Sequence, residues 1–211
     1  MGRRYPGAPW KRQHRVWLGN QSFPHPAQQV AFQLYLLAID QALERREHID
    51  RQIAALLPQW SLAPVVEAVQ ALRGIAVAVA VGVVAEIGDM RRFDNPRQLM
   101  AYVGLVPGEH SSSRKRRPTS ITKTASPIAR RLLVEAAWAY RMPAKVGTQM
   151  MLRQAEISTE IKAIAWKAQV RLCTRYRRLL ARGKKASIAI AAIARERAGF
   201  IWAIACHTQP T

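Results

Sequence analysis

Residues 27–57, AQQVAFQLYLLAIDQALERREHIDRQIAALL, run without a glycine or proline. Phe32, Leu36, Ile39 and Leu43 recur at alternating spacings of four and three, the period of a coiled-coil seam, and predict one long helix. The stripe lapses at Arg46 and Asp50 and returns at Ile53 and Leu57, while Glu44, Arg45, Arg46, Glu47 and Asp50 make a mixed charged face. A helical hairpin arm and a weak dimer zipper both account for this pattern, so a homo-oligomer built through the stripe is one expected assembly.

Upstream, the first twenty residues hold five Lys or Arg, no acid, two prolines and two tryptophans, which predicts an irregular basic arm or linker remnant over residues 1–24. A coiled-coil segment over 25–60 and a compact helical domain over 61–211 complete the expected organisation. Pro58 closes the long helix, and Pro64 opens a short one in the first helical turn, where a missing N–H costs nothing. Ile75–Ile87 follow as an apolar segment that alternates like a strand. Its length, alanine content and Gly88 terminus favour helix. Asn95-Pro96 and Ser126-Pro127 each pair an N-cap with proline at the first helical position. In the helix after Pro127 the expected core face is Ile128, Leu132, Ala136 and Ala139, with Arg130 and Arg131 off it. Two helices, about 158–181 and 185–206, flank Gly183. Residues 104–125 read as a polar basic loop, and no strand pair or internal repeat stands out. The expected fold is mainly α.

The 211 residues carry 33 Lys+Arg against 13 Asp+Glu, a formal net charge of +20, yet 49% of them are hydrophobic. Such a chain has a core to bury, and its charge calls for a polyanion, either nucleic acid or an acidic membrane surface. The longest apolar run, Ile75–Ala85, is about half the ~20 residues a spanning helix needs. The basic N-terminus has no apolar stretch behind it, so no secretory signal is read and a cytoplasmic location without membrane partners is expected. Cys173 and Cys206 lack metal-site spacing and read as buried or half-buried thiols.

Two segments invite a chemical reading. LRGIAVAVAVGVVAEIG, residues 72–88, resembles half of a helix-hairpin-helix, in which backbone N–H groups near Gly74 would hold a DNA phosphate. Ala76 stands where such hairpins have a second glycine, and a plain packing joint reads equally well. In the loop, Ser111, Ser112 and Ser113 precede Arg114, Lys115, Arg116 and Arg117. A hydroxyl beside cations suits attack on a phosphodiester, because the cations stabilise charge growing on the phosphoryl oxygens. Ordinary linker serines in a solvated basic loop are the plain alternative. A Ser–His pair through His110 is the poorer idea, since no third group orients it.

The segments RFDNPRQLMAYVGLVPGEHSSSRKRR, residues 92–117, and SITKTASPIARRLLVEAAWAYR, residues 120–141, resemble the C-terminal domain of insertion-sequence transposases of the family numbered one hundred and ten, which work with a bridge RNA. That family has the form RF-x-x-P-x-x-L-x-x-Y-x-G-L-x-P-S-E-x-S-S-G, a basic loop, G-x-I-T-K-x-G-N, then R-R-x-L-x-E-x-A-W. The match runs from about Pro64 to Arg141, and IAWKAQVRLCTRYRRLLARGKK, residues 164–185, fits the same family's C-terminal end.

The resemblance implies DNA transposition or site-specific recombination, with Ser112 as the nucleophile that forms a covalent protein–DNA intermediate. It implies that Arg114, Arg116 and Lys123 hold the scissile region or a guide RNA. The helix from Pro127 would aim its positive end at the loop. Lys115, Arg117, Arg130, Arg131 and Gly74 complete the expected nucleic-acid-binding set.

Family members also carry an N-terminal RuvC-like domain with an Asp-Glu-Asp-Asp site for Mg²⁺, which has no counterpart in this sequence. The expectation is therefore a truncated transposase, incomplete as a catalyst by itself and holding no metal of its own. The acids Asp40, Glu44, Glu47 and Asp50 read as a solvated helix face. Ser113, Ser120, Ala125 and Ser126 replace the family's Gly or Gly-Asn, at a cost of about 1 kcal/mol each if those backbones need positive φ. The alternative expectation is a non-catalytic nucleic-acid-binding or dimerising module that competes with full-length transposase.

Overall fold

The computed structural model describes residues 3–112, 115–124 and 126–208, and of 109–112 and 115–119 the backbone alone. The chain divides into two compact units, Met1–Ala55 and Leu56–Thr211.

In the first unit the N-terminal segment is irregular over residues 3–11 and helical beyond them. It forms helix α1, Arg12–Gly19, after a turn in which Trp10 takes φ +63. Its order comes from aromatic packing: His14 is buried and lies 4.8 Å from the Tyr5 ring, 5.4 Å from Trp10 and 5.9 Å from Trp17. The imidazole Nδ1 accepts the Trp10 backbone N–H at 2.9 Å. The long helix α2, Pro26–Leu56, is continuous, as its composition predicts. Its stripe residues Phe32, Leu36, Ile39 and Leu43 are half-buried and none of its residues is fully buried. Leu36 and Ile39 line a small cavity with Trp10 and Leu18, and Arg15 pairs with Asp40. The arm and this helix therefore form one unit.

The second unit is mainly helical. Helices α3, Ala63–Val69, and α4, Val77–Ile87, meet at a joint around Gly74. The AVAVAV run is thus helical, and Gly88 caps it at φ +73. Helix α5, Pro96–Tyr102, starts at Asn95, whose Oδ1 accepts the N–H groups of Arg97 and Gln98 at 3.0 and 3.2 Å. Two antiparallel strands follow, β1, Pro107–Ser112, and β2, Lys115–Ile121. They correct the expectation of an irregular loop with no strand pair. Helix α6, Pro127–Ala137, is capped by Ser126 Oγ, which accepts the Ala129 N–H at 3.1 Å. Helices α7, Thr148–Arg153, α8, Thr159–Ala181, and α9, Ala186–Thr208, complete the described chain.

The core centres on α9, against which α3, α5, α6 and α8 pack. Ile190, Ile193, Ile201 and Ile204 supply its bulk, and Ala189, Ala194, Ala198 and Ala205 let neighbouring helices approach. The buried face of α6 is Ala129, Leu133, Ala136 and Ala137, continuing to Tyr140, whereas Ile128 is 48% exposed. This face is rotated by about one residue from the expected one, because close helix packing here selects small side chains over the largest apolar ones. Cys173 is buried and Cys206 half-buried, as expected, and burial pushes both thiols up from their ordinary value. Among the described residues, no helix is long and apolar enough to cross a membrane.

Candidate functional site

The serine-rich segment is drawn into the hairpin by contacts at its base. Helix α5 ends in a Schellman motif: Gly104 N–H donates to Ala101 O at 2.9 Å and Leu105 N–H to Met100 O at 3.1 Å. Gly104 has φ +65, and a Cβ there would lie 2.5 Å from Thr124 N and 2.7 Å from Thr124 O. Only glycine lets the returning strand come this close. Thr122 N–H then donates to Val106 O at 3.0 Å and Lys123 N–H to Gly104 O at 3.2 Å. The Thr124 hydroxyl donates to Ala101 O at 3.0 Å.

Beyond this clasp, a bulge lies between Pro107 and Glu109, and the ladder continues with His110 opposite Arg117 and Ser111 opposite Arg116. Its last pair sets Ser112 opposite Lys115. The backbone thus brings the candidate nucleophile and three of the predicted cations, Lys115, Arg116 and Arg117, into one short hairpin. Arg114 and Ser113 lie outside the described residues, as does Ala125.

The other predicted residues have different surroundings. Arg130 Nη1 donates to Thr124 O at 2.8 Å and to Val103 O at 3.3 Å, so its guanidinium ties the two ends of the hairpin together. Arg131 is exposed and lies 3.8 Å from Glu135 one turn along α6. Lys123 is exposed and holds φ +57, a left-handed conformation uncommon for a side-chain-bearing residue. Of the positions that the resemblance marks for glycine, Ser120 lies in β2 and Ser126 has φ −61, so neither needs positive φ. Conformational strain sits at Lys123 instead.

Gly74 has φ +79, and a Cβ there would lie 2.5 Å from Ala136 O of α6. The backbone around it is bonded within the protein. Arg153 Nη1 donates to Ile75 O at 2.8 Å and Gln154 Nε2 to Ala71 O at 2.9 Å. Burial lowers the Arg153 pKa. These contacts make Gly74 part of a joint between α3, α4, α6 and α7.

Several contributors carry no readable signal in the sequence. Glu86, near the end of α4, accepts the Ser126 hydroxyl hydrogen and so fixes the start of α6 where β2 hands over to it. A cap hydroxyl and a carboxylate thus already occupy the neighbourhood of the α6 N-terminus. Arg197 is fully buried, and its Nη2 donates to Leu133 O at 2.6 Å. Burial lowers its pKa to about 10, while the buried Tyr140 hydroxyl is pushed up to about 12.

Asp40 is committed to Arg15, and among the described residues no three His, Cys, Asp or Glu side chains converge.

Residues 66–149 match the model of the Transposase IS116/IS110/IS902 family. Over all 211 residues the chain is 46% identical to the putative transposase y4qE of Sinorhizobium fredii, covering 51% of that protein. It is 32% identical over 136 residues, 64% of this chain and 31% of the relative, to the transposase for insertion sequence element IS1111A of Coxiella burnetii. It is 24% identical over 177 residues, 83% of this chain and 51% of the relative, to the transposase for insertion sequence element IS1533 of Leptospira borgpetersenii. The chain therefore spans about half the length, or less, of these relatives. The matched residues 66–149 take in the Gly74 joint, both strands and α6, so the likeness to that family covers the hairpin and the elements that support it.

Proposed function

We propose that the hairpin of β1 and β2 is the DNA-reacting element of this transposase segment, with Ser112 as the nucleophile. The observation that carries the reading is the ladder pair Ser112–Lys115, at the end of a clasped hairpin within the family-matched residues. In the proposed step Ser112 Oγ loses its proton and bonds to a DNA phosphorus. One P–O bond to a strand sugar breaks, and the released sugar oxygen takes up a proton. The linkage remains a phosphodiester, so a second strand hydroxyl can reverse the step onto a new partner without an external energy source. Lys115, Arg116 and Arg117, joined by Arg114, are assigned to the phosphoryl charge, because cations placed where charge develops stabilise the transition state. Arg130 acts as a positioning residue that holds the hairpin ends.

DNA is the proposed substrate and a bridge RNA a proposed second ligand. A homo-oligomer through the α2 stripe, or pairing with full-length transposase, is the proposed assembly. Mg²⁺ chemistry belongs, in this reading, to a RuvC-like domain of the family and not to residues of this chain. The chain by itself is then expected to bind nucleic acid without completing strand transfer. The net charge of +20 also fits a non-catalytic module that competes with full-length transposase.

The test mixes the protein with DNA of its flanking element ends, the flanking RNA and Mg²⁺, with and without full-length transposase, and resolves the products under denaturing conditions. A covalent adduct lost in Ser112→Ala supports the nucleophile. An adduct that survives Ser112→Ala contradicts it, and salt-sensitive binding with no adduct in either mixture favours the competing module.

A further inference from the structure

Lys167, Arg171, Arg175, Arg178 and Arg182 fall at steps of four, four, three and four along α8 and its C-cap. At 100° and 1.5 Å per residue these positions occupy an arc of about 80° and a length of about 22 Å. The only acid within α8, Glu160, lies in its first turn, about two turns before Lys167. Arg171, Arg175, Arg178 and Arg182 line a groove of about 390 Å³ together with Val170 and Thr174. Glu196 of α9, only 15% exposed, pairs with both Arg171 and Arg175, the latter at 3.0 Å. One carboxylate thus fixes two guanidiniums without cancelling them. Among the described residues Lys167, Arg178 and Arg182 have no carboxylate partner, and Lys184 and Lys185 extend the positive charge past Gly183.

Helix stability explains little of this stripe. A cation in the last turn complements the helix dipole, but the effect fades within that turn and does not reach back to Lys167 or Arg171. A stripe of this length is too extended for one small anion. Its one-sided row of arginines suits a chain of phosphates, because guanidinium binds phosphate oxygens through paired N–H donors.

We infer that the arginine face of α8 is a second nucleic-acid track, separate from the β1–β2 hairpin, that holds a phosphodiester backbone in the same complex. The inference rests on the reading that this chain acts on nucleic acid, but it does not require Ser112 to be the nucleophile. DNA and RNA share the chemistry the track recognises, and the assay separates them.

The experiment measures binding of the full 211-residue chain to a 30-bp duplex DNA, a stem-loop RNA and anionic vesicles over a series of salt concentrations. The variants are Arg178→Gln/Arg182→Gln on the track, Arg116→Gln/Arg117→Gln on the hairpin, and Arg45→Gln/Arg46→Gln on α2. The three remove the same charge. The track variant is expected to bind several-fold more weakly to the nucleic acid that occupies the track. For duplex DNA its log affinity against log salt should flatten by about 1.8, at about 0.9 per lost phosphate contact. Loss confined to DNA or to RNA identifies the occupant. An unchanged affinity and slope, an equal loss in the α2 variant, or loss seen on vesicles alone overturns the inference. If the track variant loses affinity and the hairpin variant does not, the track stands and the hairpin reading fails. Loss in the hairpin variant alone supports the hairpin and overturns the track, and failure of the wild-type chain to bind either nucleic acid removes both.

Discussion

Gly104 and Gly183 offer a controlled comparison for the claim that close approach at the hairpin base makes the site. Both end a helix in a Schellman motif. Gly183 N–H donates to Leu180 O at 2.9 Å and Lys184 N–H to Leu179 O at 3.1 Å, the pattern seen at Gly104 and Leu105. Their φ values, +65 at Gly104 and +73 at Gly183, are nearly the same. They differ in what a side chain would meet: a Cβ at Gly183 has nothing within 4 Å, and at Gly104 it would lie 2.5 Å from Thr124 N and 2.8 Å from Arg130 Nη1.

Gly183→Ala should therefore cost only the left-handed backbone penalty, about 1 kcal/mol. In Gly104→Ala the returning strand must also retreat by close to 1 Å to restore ordinary contact. That movement breaks Lys123 N–H to Gly104 O, worth about 1 kcal/mol, and Arg130 to Thr124 O, worth about 1.5–3 kcal/mol because the donor is charged. The predicted loss is about 3.5–5 kcal/mol, so the two variants should differ by about 2.5–4 kcal/mol. Urea unfolding followed by helical circular dichroism measures the difference directly. Equal losses within about 0.5 kcal/mol would refute the claim that the clasp is a packing constraint.

Three further outcomes follow from other sites. Ser126→Ala removes an N-cap and the bond to Glu86, and should lower stability by about 1–2 kcal/mol in the same urea assay, with Ser126→Asp a poor rescue because it faces that carboxylate. Tyr140 should ionise at about 12, which absorbance at 295 nm records. Its folded pKa lies above the unfolded value near 10, so its contribution is fully present below pH 10 and is lost as pH rises toward 12. Tyr140→Phe should therefore unfold less steeply with alkali over that window. Arg130→Ala should detach the hairpin ends, raising amide exchange at Thr122 and Lys123 while leaving the α8–α9 pair protected.

What can be read from the sequence follows from how local each cause is. Asn95-Pro96, Ser126-Pro127 and Gly183 mark helix ends because caps satisfy backbone groups within a few residues of themselves. The hairpin leaves no such mark. GEHSS and KRRPTS lack the alternating β-branched and aromatic residues of a half-buried strand, and their pairing follows a clasp formed by Gly104, Thr124 and Arg130, up to 26 positions apart. The α6 face reads one residue off because hydrophobicity favours Ile128, while packing against α4 and α9 needs Ala129, Ala136 and Ala137. The order of the N-terminal segment depends on the stacking of Tyr5, Trp10, His14 and Trp17, which a count of prolines and arginines does not reveal. Ser112 itself is marked by a motif resemblance. Its strand pairing with Lys115 is visible only in the fold.

The central claim is that Ser112 bonds to DNA phosphorus. Its most direct test is mass-spectrometric peptide mapping of the protein–DNA adduct after exhaustive nuclease digestion. The account predicts a nucleotide remnant on the peptide containing residues 107–117, localised to Ser112. A remnant on Ser111, Ser113 or any residue outside the hairpin, with Ser112 unmodified, would contradict it.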